Sequence, residues 1–543
     1  MPSLLIETRL SAHETAPYGR RGRPRVGLVA SRATFSTHSA GWGGAVCQGG
    51  VVRCRGDVLP ERPVVSGFHP DPSVCRVGDT FYLACSSFEY APGVPVLRSD
   101  DLVTWTLVGH ALATPAHLRL DGAAPSGGVY APTLRHHDGR FWLVTTNVSD
   151  PPGHLLVSAT DPAGPWSPPV RIAAAGGIDP DLAWDDDGTC WLTWTDGGIR
   201  QAALDPSTGE LLTEPRPMWD GTGGRDVEGP HLYRVGGRWY QLVAEGGTAA
   251  GHAVSVARGP SPSGPWEPCP TNPILTARGS ASPVQSTGHL DLVERPDGTW
   301  AALFLGVRPA GYFPSWHVLG RETFAVEVAW VDGWPVVTGP LQPARVPPVR
   351  ARLEPDATGG PGPHWVGAGV WPADVLRSVD GAWHLTAGAA GRTFVGRRVA
   401  HTRVTARARV AAAHGVGGLE MRIDPEHALT LEVDGSTVRA IARVGSLGSV
   451  LGELVLDGPP HAPGAVLELA VRESPHHRYS HRRGPDELVA TVETAHGRTE
   501  LGRLDGRYLS TEVAAGFTGR MVGVVAERGE VVVHELEYVG HEV

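Results

Sequence analysis

The sequence predicts an all-β protein, a five-bladed β-propeller followed by a C-terminal β-sandwich. Five times a polar turn leads into a short aromatic-rich apolar run: Asp79-Thr-Phe-Tyr82, Gly139-Arg-Phe-Trp142, Gly188-Thr-Cys-Trp191, Gly237-Arg-Trp-Tyr240 and Gly298-Thr-Trp300. These turns recur roughly every 50–60 residues, the length of a four-stranded blade with loops of varying size. A second repeated element, Ser99-Asp-Asp-Leu-Val-Thr-Trp105, Thr160-Asp-Pro-Ala-Gly-Pro-Trp166 and Ser261-Pro-Ser-Gly-Pro-Trp266, falls where the outer strands of a blade belong. A sandwich also has many short strands, but it does not repeat one turn five times in phase.

The elements follow in order. Residues 1–57 show no sustained period of 2 or 3.6 and are rich in Arg, Gly, Ser and Thr, so they read as a disordered arm or a spurious extension of the reading frame. Residues 58–339 are short strands punctuated by Gly, Pro and Asp, without an amphipathic helix, and form the propeller. Residues 340–366 open on Gly339-Pro-Leu-Gln-Pro-Ala-Arg-Val-Pro-Pro348 and read as a stiff, extended Pro/Gly-rich linker. In 367–543 alternation is clear at Val404–Val410, Leu429–Val433, Val466–Val471 and Val531–Leu536, the pattern of half-buried strands in a sandwich.

Composition narrows the function. A chain of 543 residues is too long for one core. A net charge of −10 disfavours nucleic acid or an anionic membrane as partner. The chain has no lysine, which excludes Schiff-base chemistry and a phosphate-binding loop with its Lys. Cys47, Cys54, Cys75, Cys85, Cys190 and Cys269 form neither a C-x-x-C pair nor a zinc spacing and read as reduced, mostly buried thiols. Apolar runs fall short of the ~20 residues of a spanning helix. Arg20-Arg21 is followed only by Val26–Ala30, less than a secretory segment of ~7–15 apolar residues, so a cytoplasmic location is expected.

Counting back from the five turns to equivalent positions lands on Asp71, Tyr130, Asp179, Glu228 and His289. The innermost strand of every blade lines the axis, so these positions converge. Prolines flank Asp71 and follow Asp179, and a glycine follows Glu228. Three acids near one axis cannot all ionise freely, and their repulsion raises at least one pKa. Glycoside hydrolysis uses such a set: one carboxyl protonates the leaving oxygen while another activates water, and inverting enzymes keep the two ~6.5–9.5 Å apart. Asp185, Asp186 and Asp187 lie in a turn and read as caps. His289 reads equally as a partner of a carboxylate, a holder of water on a buried ion, or a hydrogen-bonded core His. Arg321 is a candidate for a sugar hydroxyl or an axial acid, against the ordinary reading of a solvated strand Arg. Phe88, Tyr90 and Tyr130 offer faces on which a pyranose stacks, although strand aromatics are more often core.

Phe68-His-Pro-Asp-Pro-Ser73, Gly177-Ile-Asp-Pro-Asp-Leu182, Val227-Glu-Gly-Pro-His-Leu232, Glu245-Gly-Gly-Thr248, Gly288-His-Leu-Asp-Leu292, Phe304-Leu-Gly-Val-Arg-Pro309 and Leu319-Gly-Arg-Glu-Thr323, in this order, resemble glycoside hydrolase family 43, in particular its two-domain β-xylosidases. The resemblance implies inverting, exo-acting release of β-D-xylose from the non-reducing end of xylo-oligosaccharides, with α-L-arabinofuranosidase, or both activities on arabinoxylan-derived oligosaccharides, as the alternative. It implies Asp71 as general base, Glu228 as general acid and Asp179 as the residue that orients Glu228 and raises its pKa. Arg321, Thr248, Phe88 and Ala131 then belong to the sugar pocket, and Phe517, in Gly516-Phe-Thr-Gly519, reaches over it from the sandwich. No cofactor is required and no metal ligand is assigned, although some relatives hold Ca2+ near the axial His, here His289. Relatives usually carry Trp at Tyr130 and a larger or more polar residue at Thr133, so the choice between xylose and arabinofuranose stays open. An inactive carbohydrate-binding propeller is the remote alternative, and homo-oligomerisation is compatible with the sequence.

Overall fold

The computed structural model describes residues 58–357, 359–388, 391–457 and 465–542. The arm read at 1–57, with Cys47 and Cys54, lies outside them. Residues Val51–Val543 form one compact unit, so the two β domains can be described together. Cys75, Cys85, Cys190 and Cys269 are buried free thiols.

Five antiparallel sheets, each built on four consecutive strand positions, form the blades of the propeller. Their innermost strands are Ser73–Val77, Thr133–His137, Ile178–Trp184, Glu228–Val235 and Gln285–Glu294. In each blade the polar turn closes the hairpin between the first and second strands. In blades two and four its central pairs, Asp138-Gly139 (φ 50° and 71°) and Gly236-Gly237 (φ 57° and 78°), are both left-handed. That is the backbone a two-residue hairpin turn requires, and Asp-Gly and Gly-Gly supply it. The aromatic run after the turn enters the second strand and packs between blades: Phe81 joins a cluster with Val293 and Leu303, Phe141 one with Val94 and Val96, and Trp239 one with Ala183 and Leu232. Val65 bridges Thr323, tying the start of the domain onto blade five. Among the described residues the only α-helices are the single turns Pro372–Val375 and Thr511–Ala514.

The sandwich is a continuous ladder around two long strands, Arg403–Asp424 and Met521–His541. The first half of Arg403–Asp424 pairs with Val466–Arg472 and the second half with His427–Asp434, so one strand serves both faces. Register shifts at Arg409/Val410, Ala411/His414 and Val416/Gly417 interrupt the long pair where it passes between them, and bulges of this kind bend strands. Leu419, Met421, Leu431, Leu469 and Val524 fill the core between the faces.

The two domains are stitched together. Within the connection read as a linker, Val349–Arg352 is a strand on Glu537–Gly540. Its extended backbone therefore serves the sandwich sheet, because a free sheet edge lay beside it. The short strand Tyr90–Ala91 of the propeller pairs with Val366–Ala368. Phe68, Phe88, Tyr90, Val366, Phe394, Met521 and Val525 form one buried cluster from both domains.

Candidate active site

The axial acids sit where the inner strands depart from regular geometry. Asp71 (φ 54°), Asp179 (φ 53°) and His289 (φ 49°) are left-handed, a conformation costing of order 1–3 kcal/mol for a non-glycine residue. Asp179, Glu228 and His289 lie at register shifts in their blades. In blade four the left-handed residue is Gly229 (φ 56°), directly after Glu228, and a Cβ there would lie 3.0 Å from the His289 ring. The glycine lets blades four and five close against each other at the acids.

Hydrogen bonds hold each strained position. Asp71 is buried; its Oδ2 accepts from Ser86 Oγ at 2.5 Å and its Oδ1 from Arg321 Nη1 at 3.0 Å. Asp179, also buried, accepts from the Gly229 N–H at 3.0 Å, which links it to the residue after Glu228. Arg321 also donates to Thr248 Oγ1 at 3.2 Å. His289 Nδ1 lies 3.8 Å from Asp71 Oδ1.

The three carboxyls do not titrate alike. Burial pushes Asp71 up, but Arg321, His289 and the Ser86 hydroxyl together outweigh it, so its pKa ends below the usual carboxylate value. Burial, reinforced by the Asp71 charge, pushes Glu228 up to about 7. Asp179 is raised well above the ordinary value by burial, then by Glu228 and Asp71. The Asp179–Glu228 pair therefore keeps a proton near neutral pH while Asp71 is ionised. Burial brings His289 down to about 4, which leaves it a neutral imidazole.

Aromatic rings roof this group. Phe517 stacks on Phe88 with centroids 5.9 Å apart and meets Tyr130 edge-on at 5.9 Å. The Arg321 guanidinium lies 5.2 Å from the Phe517 ring. The Phe517 N–H donates to Ser126 Oγ at 2.8 Å, and Ala515 (φ 63°) and Gly516 (φ 83°) make the left-handed turn that presents it. Tyr130 is half-buried and within electrostatic range of all three acids. Ala131, buried beside it, enters the site through its neighbour.

Sequence reasoning missed the layer beneath. Arg135 donates to Asp181 at 2.7 Å and to Asp291 at 2.8 Å, and its Nη2 lies 3.0 Å from His231 Nδ1. Ser73 Oγ and the Val74 N–H also donate to Asp291, at 2.7 and 2.9 Å, and Tyr233 donates its hydroxyl to the same carboxylate. Ser73, Asp181 and Asp291 each stand two residues beyond Asp71, Asp179 and His289. That offset was the available signal.

This network bears on calcium at His289. The guanidinium of Arg135 already supplies the axial positive charge, and among the described residues no three His, Cys, Asp or Glu side chains are grouped to hold a metal. No step below uses a calcium ion. Arg135→Met would leave Asp181 and Asp291, both with fully buried side chains, without their cation. Breaking a buried pair in this way costs about 3–5 kcal/mol. Urea unfolding followed by tryptophan fluorescence should show that loss, and a change below about 1 kcal/mol, the scale of a surface pair, would contradict it.

A ring of blades that brings acids of opposed protonation to one axis, under stacking aromatics, defines a glycoside hydrolase. The family model for glycosyl hydrolases family 43 matches residues 60–335, and that for the beta xylosidase C-terminal concanavalin A-like domain matches 384–531. The non-reducing end alpha-L-arabinofuranosidase BoGH43B of Bacteroides ovatus is 36% identical over 86% of this chain and 91% of its own length. A xylosidase/arabinosidase of Butyrivibrio fibrisolvens is 45% identical over 52% of this chain and 56% of its own. Among solved structures, xylan beta-1,4-xylosidase of Bacillus halodurans superposes with a TM-score of 0.76 at 28% identity, over 88% of this chain and 99% of that one. The chain belongs to glycosyl hydrolase family 43.

Proposed function

We propose that this enzyme is an exo-acting, inverting glycoside hydrolase that releases β-D-xylose from the non-reducing end of xylo-oligosaccharides. The observation that carries the reading is the placement of Asp71 against Arg321 and Ser86 and of Asp179 on the Gly229 N–H next to Glu228, with Glu228 pushed up by burial and the Asp71 charge. Asp71 takes a proton from water as that water attacks the anomeric carbon. Glu228 gives its proton to the departing glycosidic oxygen. Asp179, through the Gly229 N–H, orients the donor. Exchange with solvent then returns the proton from Asp71 and recharges Glu228. Arg321 serves twice, as counter-charge to Asp71 and, with Thr248, as donor to sugar hydroxyls.

The exo mode rests on Phe517. A ring carried by the sandwich and stacked on Phe88 and Tyr130 limits the space beyond the terminal sugar. Release of α-L-arabinofuranose is the second reading, favoured by the length of the match to the Bacteroides ovatus arabinofuranosidase and by Tyr130 in a pocket where the resemblance leads one to expect Trp. The xylose reading draws support from the C-terminal domain type. Rates on nitrophenyl β-D-xyloside and α-L-arabinofuranoside, with xylobiose and arabino-oligosaccharides beside them, separate the two. Higher kcat/KM on the xylose substrates is expected, and a large preference for the arabinosides would replace the first reading by the second.

A further inference from the structure

A cavity of about 310 Å³ lies where blade one meets the sandwich, and none of the three axial acids lines it. Val64, Leu97, Trp105, Leu107 and Val346 make most of its wall apolar, and no Asp or Glu lines it. Arg397 does line it. This side chain is only 8% exposed, and its Nε is enclosed without a hydrogen-bond partner. Its guanidinium rests on the rings of Tyr538, 4.5 Å away, and Trp365, 5.9 Å away. Arg398 also lines the cavity and is 9% exposed. It donates from Nε to the Phe68 carbonyl at 2.9 Å and faces the Phe68 ring, with no carboxylate partner among the described residues.

Most other enclosed arginines among the described residues face a carboxylate, although Arg422 has one only at 3.8 Å, from Glu420, with its Nε also unpartnered. Arg135 is paired with Asp181 and Asp291, Arg308 with Glu322, Arg321 with Asp71 and Arg520 with Asp486. A buried cation without a counter-charge is unfavourable, and burial accordingly pulls both Arg397 and Arg398 downward. The histidines cannot substitute for an anion. His401 lies 2.9 Å from both the Tyr538 hydroxyl and the Pro347 carbonyl through its two ring nitrogens, and burial with Arg397 and Arg398 nearby brings His364 down to about 4. The described lining therefore holds two cations and no negative charge, in a wall that is mostly apolar.

We propose that this interdomain cavity is a binding site for a small monocarboxylate with an apolar body. The carboxylate sits on the Arg397 guanidinium, whose planar fork matches it, and the hydrocarbon part lies against Leu97, Trp105 and Leu107. The volume is at the small end of ligand pockets, which favours one ring or a short chain. Inorganic phosphate fits less well, because it would leave the apolar wall of Val64, Leu97, Trp105, Leu107 and Val346 uncovered.

Calorimetric titration of the full chain with 3-phenylpropionate tests this, with the neutral 3-phenylpropanamide, acetate and phosphate as comparisons. One saturable site is expected, with binding weaker by roughly tenfold or more, the scale of a charge-assisted hydrogen bond, for the amide and for Arg397→Met. Thr104→Trp, at the exposed rim, should abolish binding while leaving the axial site untouched. Absence of saturable binding, equal binding of the amide, or binding unchanged in Arg397→Met or Thr104→Trp would overturn the proposal. So would acetate or phosphate binding as well as 3-phenylpropionate, which would mean an adventitious ion only. Should Arg397→Met not fold, the amide and Thr104→Trp decide the question.

Discussion

Glu228→Gln is expected to lower kcat on xylobiose by about 10²–10⁴, the usual worth of a general acid, while KM changes little. Glutamine keeps the shape of the side chain and loses the proton that the leaving oxygen needs. The loss should shrink on an aryl glycoside, whose leaving group departs without protonation. In the unaltered enzyme Glu228 must be protonated, so kcat/KM should fall as pH rises through about 7, its raised pKa. That basic limb should vanish in the residual activity of the variant. A near-normal rate on xylobiose would remove Glu228 from the donor's role.

Asp71→Asn is expected to cost a similar ~10²–10⁴, but on natural and aryl substrates alike, because water must be activated whatever group leaves. This difference in leaving-group dependence separates the base from the acid. The variant carries a second signature. The Asp71 charge helps to raise Glu228, so removing it should move the basic limb of the residual activity to lower pH. On the acid side Asp71 must be ionised. Its depressed pKa places the loss of activity below the ordinary carboxylate range in the unaltered enzyme, and that limb should disappear in Asp71→Asn. Profiles of kcat/KM taken from alkaline pH down to below the ordinary carboxylate range check each shift.

Turns and their phase are the part of this fold most legible in the sequence. Asp138-Gly139 and Gly236-Gly237 dictate a local backbone, so the hairpins could be placed and the axial positions counted back from them. Phase alone reached Asp71, Asp179, Glu228 and His289. The bulges that aim Asp179, Glu228 and His289 were not readable, because a register shift depends on the partner strand. Arg135 was missed for a related reason: a strand arginine reads as solvated until two buried carboxylates, from blades three and five, are seen to meet it. Ser86 and Ser126 are ordinary serines in the sequence, and only folding sets them against Asp71 and Phe517. In the sandwich, alternation revealed segments of Arg403–Asp424 and Met521–His541 but not their full length, since the bulges break the period of 2. Pairing of Tyr90–Ala91 with Val366–Ala368 across the domains leaves no trace in composition or period.

The account depends on water attacking the anomeric carbon from the side of Asp71 while Glu228 protonates the oxygen on the other. Proton NMR of the xylose first formed from nitrophenyl β-D-xyloside, recorded before mutarotation, tests this most directly. The account predicts that the α anomer of xylose appears first. Initial formation of the β anomer would mean two displacements through a covalent intermediate, and would contradict the role given to Asp71.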